Sequence, residues 1–213
     1  MRLGIIADIH GDSVALHKAL DLLDSFAVQQ IVCAGDMVNK GSDAAGVIAQ
    51  LQARAIPTVQ GNHDFDALAD GYILVYRNER EGIEESYTHD LSDNMQSYLS
   101  RLPLALKFEW EGKRIHLTHA NTWNQTTLLR ADTDASLFRR TAAEAEADVI
   151  IVGHNHEPML ISVGDRLIVN PGCVYYGHPE FRSTCAILSL PERAFTVFDV
   201  NTGLEIAPTR MNL

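Results

Sequence analysis

Short apolar runs closed by polar or glycine-containing turns alternate with stretches of helical spacing along the first third of the chain. Residues 3–7 form a buried-strand candidate that stops at Asp8, and residues 14–26 place Leu16, Leu20 and Leu23 on one helical face. A second run, Gln30 to Ala34, ends in Gly35-Asp36. Residues 43–53 set Val47, Ile48 and Leu51 on one side of a helix, and Ile56 to Val59 is a third short strand ending in Gly61-Asn62. Strand, loop, helix and strand in this order predict βαβ units with right-handed crossovers. In such units, functional groups gather where the carboxyl ends of the strands meet their loops.

The pattern weakens between residues 72 and 101. Glu79, Arg80, Glu81, Glu84 and Glu85 make residues 77–90 a charged stretch, read as a lid or a surface helix, and a helix is expected to run to about Arg101. After the break at Leu102-Pro103, residues 104–110 and 114–118 read as strands joined by Glu111-Gly112-Lys113 in a hairpin. A helix over 134–147 precedes the apolar run 148–152. Three or four further strands follow, near Leu160, over 167–169, 186–190 and 195–200. The economical arrangement is one domain spanning residues 1–213, with a second sheet closing a sandwich.

The ends of the apolar runs carry the chemistry. Asp8-Ile9-His10, Gly35-Asp36, Gly61-Asn62-His63-Asp64 and Gly153-His154-Asn155-His156, joined by His119, collect Asp, Asn and His side chains at strand ends. Taken singly, an Asp-x-His or a Gly-Asp is ordinary turn punctuation. Taken together and in this order, they read as a dinuclear metal site. Two divalent ions about 3.5–4 Å apart can stabilise the entering and leaving oxygens of a phosphoryl transfer. Asp8 and His10 project from alternate positions toward one ion, Asp36 is suited to bridge, and Asn62 offers a carbonyl oxygen. The histidines at 154 and 156 can reach one ion each. His63 would protonate the leaving oxygen or hold the phosphate, and metal-bound water attacking in line would be the nucleophile.

Charge and cysteine content narrow the partners. A formal net charge of -11 without a Lys/Arg-rich block argues against binding a nucleic-acid backbone. Bound cations would still let an acidic protein take a small anionic phosphoester. The three cysteines are too scattered for a disulfide framework or a Cys-type zinc site. The first residues read as a strand rather than a signal peptide, and no run has membrane-spanning length, so the cytoplasm is the expected location.

The motif set D-x-H, GD, GNH[DE], a lone His and GHxH, spanning Asp8 to His156, resembles the calcineurin-like metallophosphoesterases. Asn170-Pro171-Gly172 is similar to the NPGS segment of the small prokaryotic phosphodiesterases among them. The resemblance implies an α/β fold, a four-layer α/β/β/α sandwich of two mixed sheets flanked by helices. It implies two divalent metal ions, commonly manganese, iron, zinc or nickel. One would take Asp8, His10, Asp36 and His156; the second would share Asp36 and add Asn62, His119 and His154. It also implies phosphoester hydrolysis, with phosphodiesters preferred.

Several positions depart from the family pattern. Thr118-His119-Ala120 replaces the usual GHG, with His116 a rival ligand that alternation along a strand would turn away. Asn39 stands where protein phosphatases have the acid that orients the histidine equivalent to His63. Asn39-Lys40-Gly41 is similar to some dinucleoside-tetraphosphate hydrolases, which makes nucleotide-polyphosphate hydrolysis the alternative. A non-catalytic scaffold, as in the family's retromer subunit, comes third because every ligand position is filled. Lys40 is read as a phosphate contact or a solvated lysine, and Arg182 and His178 as structural rather than cleft-lining. Trp123 and Asn124 are read as a leaving-group frame or a core cover. Cys173 replaces the usual Ser, and nothing near it in sequence activates it as a nucleophile. Asp12, beside Asp8 and His10, is left open as a ligand.

Overall fold

A computed structural model of the chain describes residues 1–69, 74–87 and 91–213. Its elements are, in order, β1 (Arg2–Ile6), α1 (Ser13–Ser25), β2 (Gln30–Cys33), α2 (Ala44–Ala53), the one-turn α3 (Asn62–Asp66), β3 (Leu74–Asn78), β4 (Ile83–Tyr87) and α4 (Asp93–Ser100). There follow β5 (Ala105–Trp110), β6 (Lys113–Thr118), α5 (Ala135–Ala145), β7 (Val149–Ile151), β8 (Pro158–Val163) and β9 (Arg166–Pro171). The chain closes with β10 (Thr184–Ser189), β11 (Ala194–Asp199), β12 (Glu205–Ile206) and β13 (Thr209–Asn212).

Two mixed sheets carry the architecture. The first has the order β12-β11-β10-β1-β2, and the second β13-β8-β9-β7-β6-β5. β1 and β2 run parallel across α1, pairing Ile6 with Cys33, and β6, β7 and β9 run parallel in the second sheet. Alternation along the strands sorts the apolar side chains into three cores. Leu3, Ile5 and Val32 of the first sheet meet Ile115, Leu117, Val149 and Ile151 of the second. The opposite face of the first sheet, with Ile6 and Cys33, packs on Leu16, Leu20 and Leu23 of α1 and Val47, Ile48 and Leu51 of α2. The opposite face of the second, with Ile150 and Ile168, packs on Phe138, Ala142 and Ala145 of α5. Each fully buried leucine contributes roughly 1.5–3 kcal/mol, so these faces fix which strand ends lie together.

Helix starts follow the local sequence. Asp12, Asp43, Ser92 and Asp134 each cap a helix by accepting a backbone N–H from its first turn. Asp12 thus has a structural task, and its other oxygen accepts from the Tyr176 N–H at 3.2 Å.

The structure differs from the sequence reading in four places. Ile56 to Val59 forms no strand of its own; Thr58 makes one parallel bridge to Cys33, with the Val59 N–H donating to the Cys33 carbonyl. The charged stretch is not a helix where it is described: β3 and β4 form an antiparallel hairpin, and residues 88–90 lie outside the described residues, as do 70–73. The expected helix to Arg101 is the shorter α4. The short strands β12 and β13 have no counterpart in the sequence pattern, because two to four residues of mixed polarity carry no period of their own. No described helix is long and apolar enough to cross a membrane.

Candidate metal centre

The loops that leave β1, β2, β6 and β7, with the start of α3, converge at one edge of the two sheets. Beyond the strand ends the first two loops stay zipped together. The Asp8 N–H donates to the Gly35 carbonyl, and the Ile9 and His10 N–H groups to that of Asp36. The third and fourth loops are joined by the Gly153 N–H donating to the His119 carbonyl at 2.7 Å. Asp8, His10, Asp36, His154 and His156 all adopt left-handed backbone conformations, with φ between 49° and 70°. Such residues cost of order 1–3 kcal/mol each and persist only where their surroundings over-determine them. Here the strain turns five polar side chains toward one point.

Glycines permit that approach. A Cβ on Gly61 would overlap the Asp36 carboxylate, and one on Gly153 would lie 2.8 Å from Asp8 Oδ2. The Asp64 carboxylate accepts the N–H groups of Asp36, Met37 and Val38 and of Gly61, tying the β2 loop to α3. Burial and the neighbouring Asp36 charge push Asp64 up to about 7, against the backbone donors that favour its anion. Asn170 acts similarly on the other side. Its Nδ2 donates to the Gly153 carbonyl and to Asn155 Oδ1, both at 2.7 Å, which gives the Asn-Pro-Gly segment a role in shaping the Gly-His-Asn-His loop.

All seven residues expected to hold metal meet at this edge. Asp8, His10 and His156 offer ligand atoms within 4.8 Å of one another, as do Asp36, His119 and His154. His10 Nε2 lies 3.0 Å from His156 Nε2 and 3.9 Å from Asp36 Oδ2, while His156 Nε2 lies 3.5 Å from Asp8 Oδ1. His119 Nε2 stands 3.3 Å from Asp36 Oδ2 and 3.1 Å from Asn62 Oδ1, with its Nδ1 2.7 Å from the Ala34 carbonyl. His154 Nε2 faces the Thr126 carbonyl at 3.1 Å, and its backbone N–H donates to Asp8 Oδ2. Asp36 thus lies between the two groups. His116 faces away, toward the Ala145 carbonyl of α5.

The donor set fits divalent ions. Asp8 Oδ1 is fully buried with no hydrogen-bond partner among the described residues, although His10 and His156 Nε2 lie 4.0 and 3.5 Å from it. A buried orphan carboxylate oxygen is costly, and a cation would satisfy it. Burial holds His10 well below the usual histidine range, so its ring is neutral with a lone pair to give. The His119 and His10 rings beside Asp36 hold its carboxyl well below the usual range despite burial. Burial opposes charge on His119, yet Asp36 raises it to about 9, so a proton stands there in competition with a cation.

His63 lines the same cavity, of about 180 Å³, with its backbone N–H on Asp36 Oδ1 at 2.9 Å. Its Nδ1 lies 3.1 Å from Asn39 Nδ2. Asn39 Oδ1 accepts from the Lys40 N–H at 3.0 Å, which fixes the amide so that Nδ2 donates to His63. The neutral ring then carries its proton on Nε2.

Lys40 is half-buried and turned inward, its Nζ 3.4 Å from His10 Nε2, rather than solvated. His178 also lines the cavity, against its expected structural role, whereas Arg182 pairs with Asp199 at 3.3 Å. Arg130 also lines the cavity, although a lone arginine in a polar loop gives no sequence signal. Trp123 lies beneath the Arg140 guanidinium at 4.2 Å, and Asn124 Oδ1 accepts the N–H groups of Thr126 and Thr127 within its own loop. Cys173 is buried, which pushes its thiol far up and leaves it inert.

A mixed α/β fold with Asp, Asn and His side chains gathered at one sheet edge defines a metal-binding hydrolase architecture. The chain belongs to the calcineurin-like phosphoesterase superfamily, whose domain model matches residues 1–193. It is 25% identical over 172 residues to phosphodiesterase MJ0936 of Methanocaldococcus jannaschii, covering 81% of this chain and 83% of that protein. It is 29% identical to a symmetrical bis(5'-nucleosyl)-tetraphosphatase of Paracidovorax citrulli over 69% of this chain, but spans only 51% of that relative. A metallophosphoesterase structure from Sphaerobacter thermophilus shares the fold, with TM-score 0.71 and 19% identity over 98% of this chain and 89% of the other.

Proposed function

We propose that the chain is a single-domain, dinuclear metal-dependent phosphohydrolase acting on a small phosphoester, with phosphodiesters preferred. The buried Asp8 Oδ1, without a hydrogen-bond partner among the described residues and facing His10 and His156, is the observation that carries this reading. Asp8, His10, Asp36 and His156 would hold one ion, and Asp36, Asn62, His119 and His154 the other. Ions of manganese, iron, zinc or nickel all suit these ligands. Bound there, two divalent ions supply charge neutralisation at phosphorus and a water acidic enough to react near neutral pH.

The chain's own groups do the rest. The left-handed turns hold the carboxylates and imidazoles in place before substrate arrives, so little reorganisation remains. His63, oriented by Asn39, presents Nε2–H toward the phosphoryl or leaving oxygen. Lys40 adds a positive charge beside it. The similarity to a phosphodiesterase supports the diester reading. The similarity to a symmetrical tetraphosphatase, with Asn39-Lys40-Gly41, favours nucleotide polyphosphates as the second reading.

The test is hydrolysis of an aryl phosphodiester beside the matching monoester, after chelation and readdition of manganese. Metal-restored turnover with a diester excess is expected. A monoester excess would reverse the substrate class, and silence on both with two ions bound would move the assignment to polyphosphates. Silence with no ion bound would overturn it in favour of a non-catalytic scaffold.

A further inference from the structure

Lys40, Arg130 and His178 line the same cavity as Asp36 and His63. Neither Lys40 nor Arg130 forms an ion pair among the described residues. Lys40 is held there at a cost: it and Asn39 adopt left-handed φ values of 65° and 71°. No carboxylate of the described residues lies at ion-pair distance from it, so its half-buried ammonium can still gain from an anion in the cavity.

Arg130 is fixed at its base rather than loose. The carbonyl of the buried Leu129 accepts from Asn155 Nδ2, and the Arg130 N–H donates to Thr133 Oγ1 at 2.8 Å. The same loop is pinned to the β2-side loops by Gln125 Nε2 donating to the Gln60 carbonyl at 2.8 Å. His178 completes the group. Its Nδ1 accepts the Glu180 and Phe181 N–H groups at 3.1 and 3.2 Å, which leaves the proton on Nε2, and its ring stands 5.4 Å from that of His156. The hairpin holds this histidine loop in place: the Glu79 N–H donates to the Gly177 carbonyl, and Arg80 donates to the carbonyls of Tyr176 and Phe181.

We infer that Lys40, Arg130 and His178 form a subsite for a second anionic group on the substrate, a phosphate next to the scissile one. This rests on the phosphohydrolase reading above and, within it, favours the second reading, a polyphosphate, over a simple phosphodiester. The two carboxylates of the ligand groups, Asp8 and Asp36, already fall short of the charge of two divalent ions. Lys40 and Arg130 add to that positive excess. A simple diester monoanion offsets only part of it, whereas a pyrophosphate-containing substrate brings further charge to where the donors stand. An arginine fork matches two phosphate oxygens at once.

The experiment is calorimetric binding of methylenediphosphonate and of methylphosphonate to the manganese-loaded protein, for the wild type and for Arg130→Ala and Arg130→Lys. The wild type should prefer the diphosphonate, and Arg130→Ala should shrink that preference by about tenfold or more, the scale of losing a charge-assisted pair. Arg130→Lys should restore part of it. In parallel, kcat/KM for a nucleoside polyphosphate should fall at least tenfold further than that for an aryl diester. Aryl diester turnover in a wild type whose diphosphonate preference is unmoved by Arg130→Ala would overturn the subsite and leave the phosphohydrolase standing. Absence of manganese binding and of all turnover would overturn both.

Discussion

Asn39 Nδ2 lies 3.1 Å from His63 Nδ1, and the Lys40 N–H on Asn39 Oδ1 prevents the amide from turning over. His63 therefore receives a hydrogen bond at Nδ1, where an acid at the same position would accept one. Burial already lowers the pKa of His63, and a donor at Nδ1 also disfavours the imidazolium. Replacing Asn39 with Asp should reverse this. The carboxylate would accept Nδ1–H and raise the His63 pKa, so the imidazolium would persist to higher pH. The alkaline limb of kcat/KM for a substrate with a poor leaving group should move up by about one pH unit, a typical effect of one adjacent opposite charge. A superimposable pH profile for Asn39→Asp would show that this contact does not govern His63.

Removing the ring tests its part in the reaction. His63→Ala should retain its metal, because no assigned ligand is lost. It should slow a substrate with a poor leaving group by about 100-fold or more, within the usual range for proton transfer by a positioned side chain. A good leaving group should be slowed less. Equal slowing of both would assign His63 to phosphate binding alone.

Asp36 lies between the two ligand groups, 3.3 Å from His119 Nε2 and 3.9 Å from His10 Nε2. Asp36→Asn should abolish turnover and weaken both ions by more than about 100-fold, the upper end for losing even an outer partner of a metal ligand. Metal analysis after gel filtration reads this directly. Loss of one ion only would remove Asp36 from the bridging position.

Asp64 contacts no substrate in this scheme, but it holds the β2 loop by accepting four backbone N–H groups. Asp64→Asn would set an amide against some of these donors and leave them unsatisfied. The expected cost is about 2–4 kcal/mol of stability, seen as a lower midpoint in chemical denaturation. Metal affinity should fall with it, since Asp36 follows the tethered turn. An unchanged midpoint would contradict the tether.

His116 provides a pH test away from the metal centre. Its Nε2 is buried without a partner among the described residues, and burial lowers the ring's pKa below its usual 6.5. As pH falls below 6.5, the unfolded chain takes up a proton that the folded ring resists, so this group's contribution makes stability decline with acid. His116→Leu should gain about 1 kcal/mol at neutral pH. Its advantage should widen between pH 6.5 and 5. An advantage that narrows toward pH 5 would mean that the folded ring protonates more readily than the unfolded one.

The opening third of the chain is legible because strand and helix periods there coincide with burial. Spacing alone sets Leu16, Leu20 and Leu23 on one helix face, and they pack on the first sheet as that face requires. The weak segment near residue 58 misleads because a single bridge to Cys33 needs no strand-length pattern. The β3–β4 hairpin was hidden for a different reason. Its charged, solvent-facing residues lack alternation, and its position depends on carbonyls of residues 40, 176, 177 and 181 that sequence cannot bring near it.

The same division applies to the site. Residue type and order alone picked out Asp8, His10, Asp36, Asn62, His63, His119, His154 and His156, because metal-ligating side chains repeated at strand ends form a local and recognisable pattern. Lys40 pointing inward, His178 joining the cavity, Arg130 standing beside Asn155 and Asn39 setting the proton on His63 were decided only by the tertiary structure. Those roles depend on which loops the packed sheets bring together. Proximity across more than a hundred residues, as between Lys40 and His178, leaves no trace in local sequence.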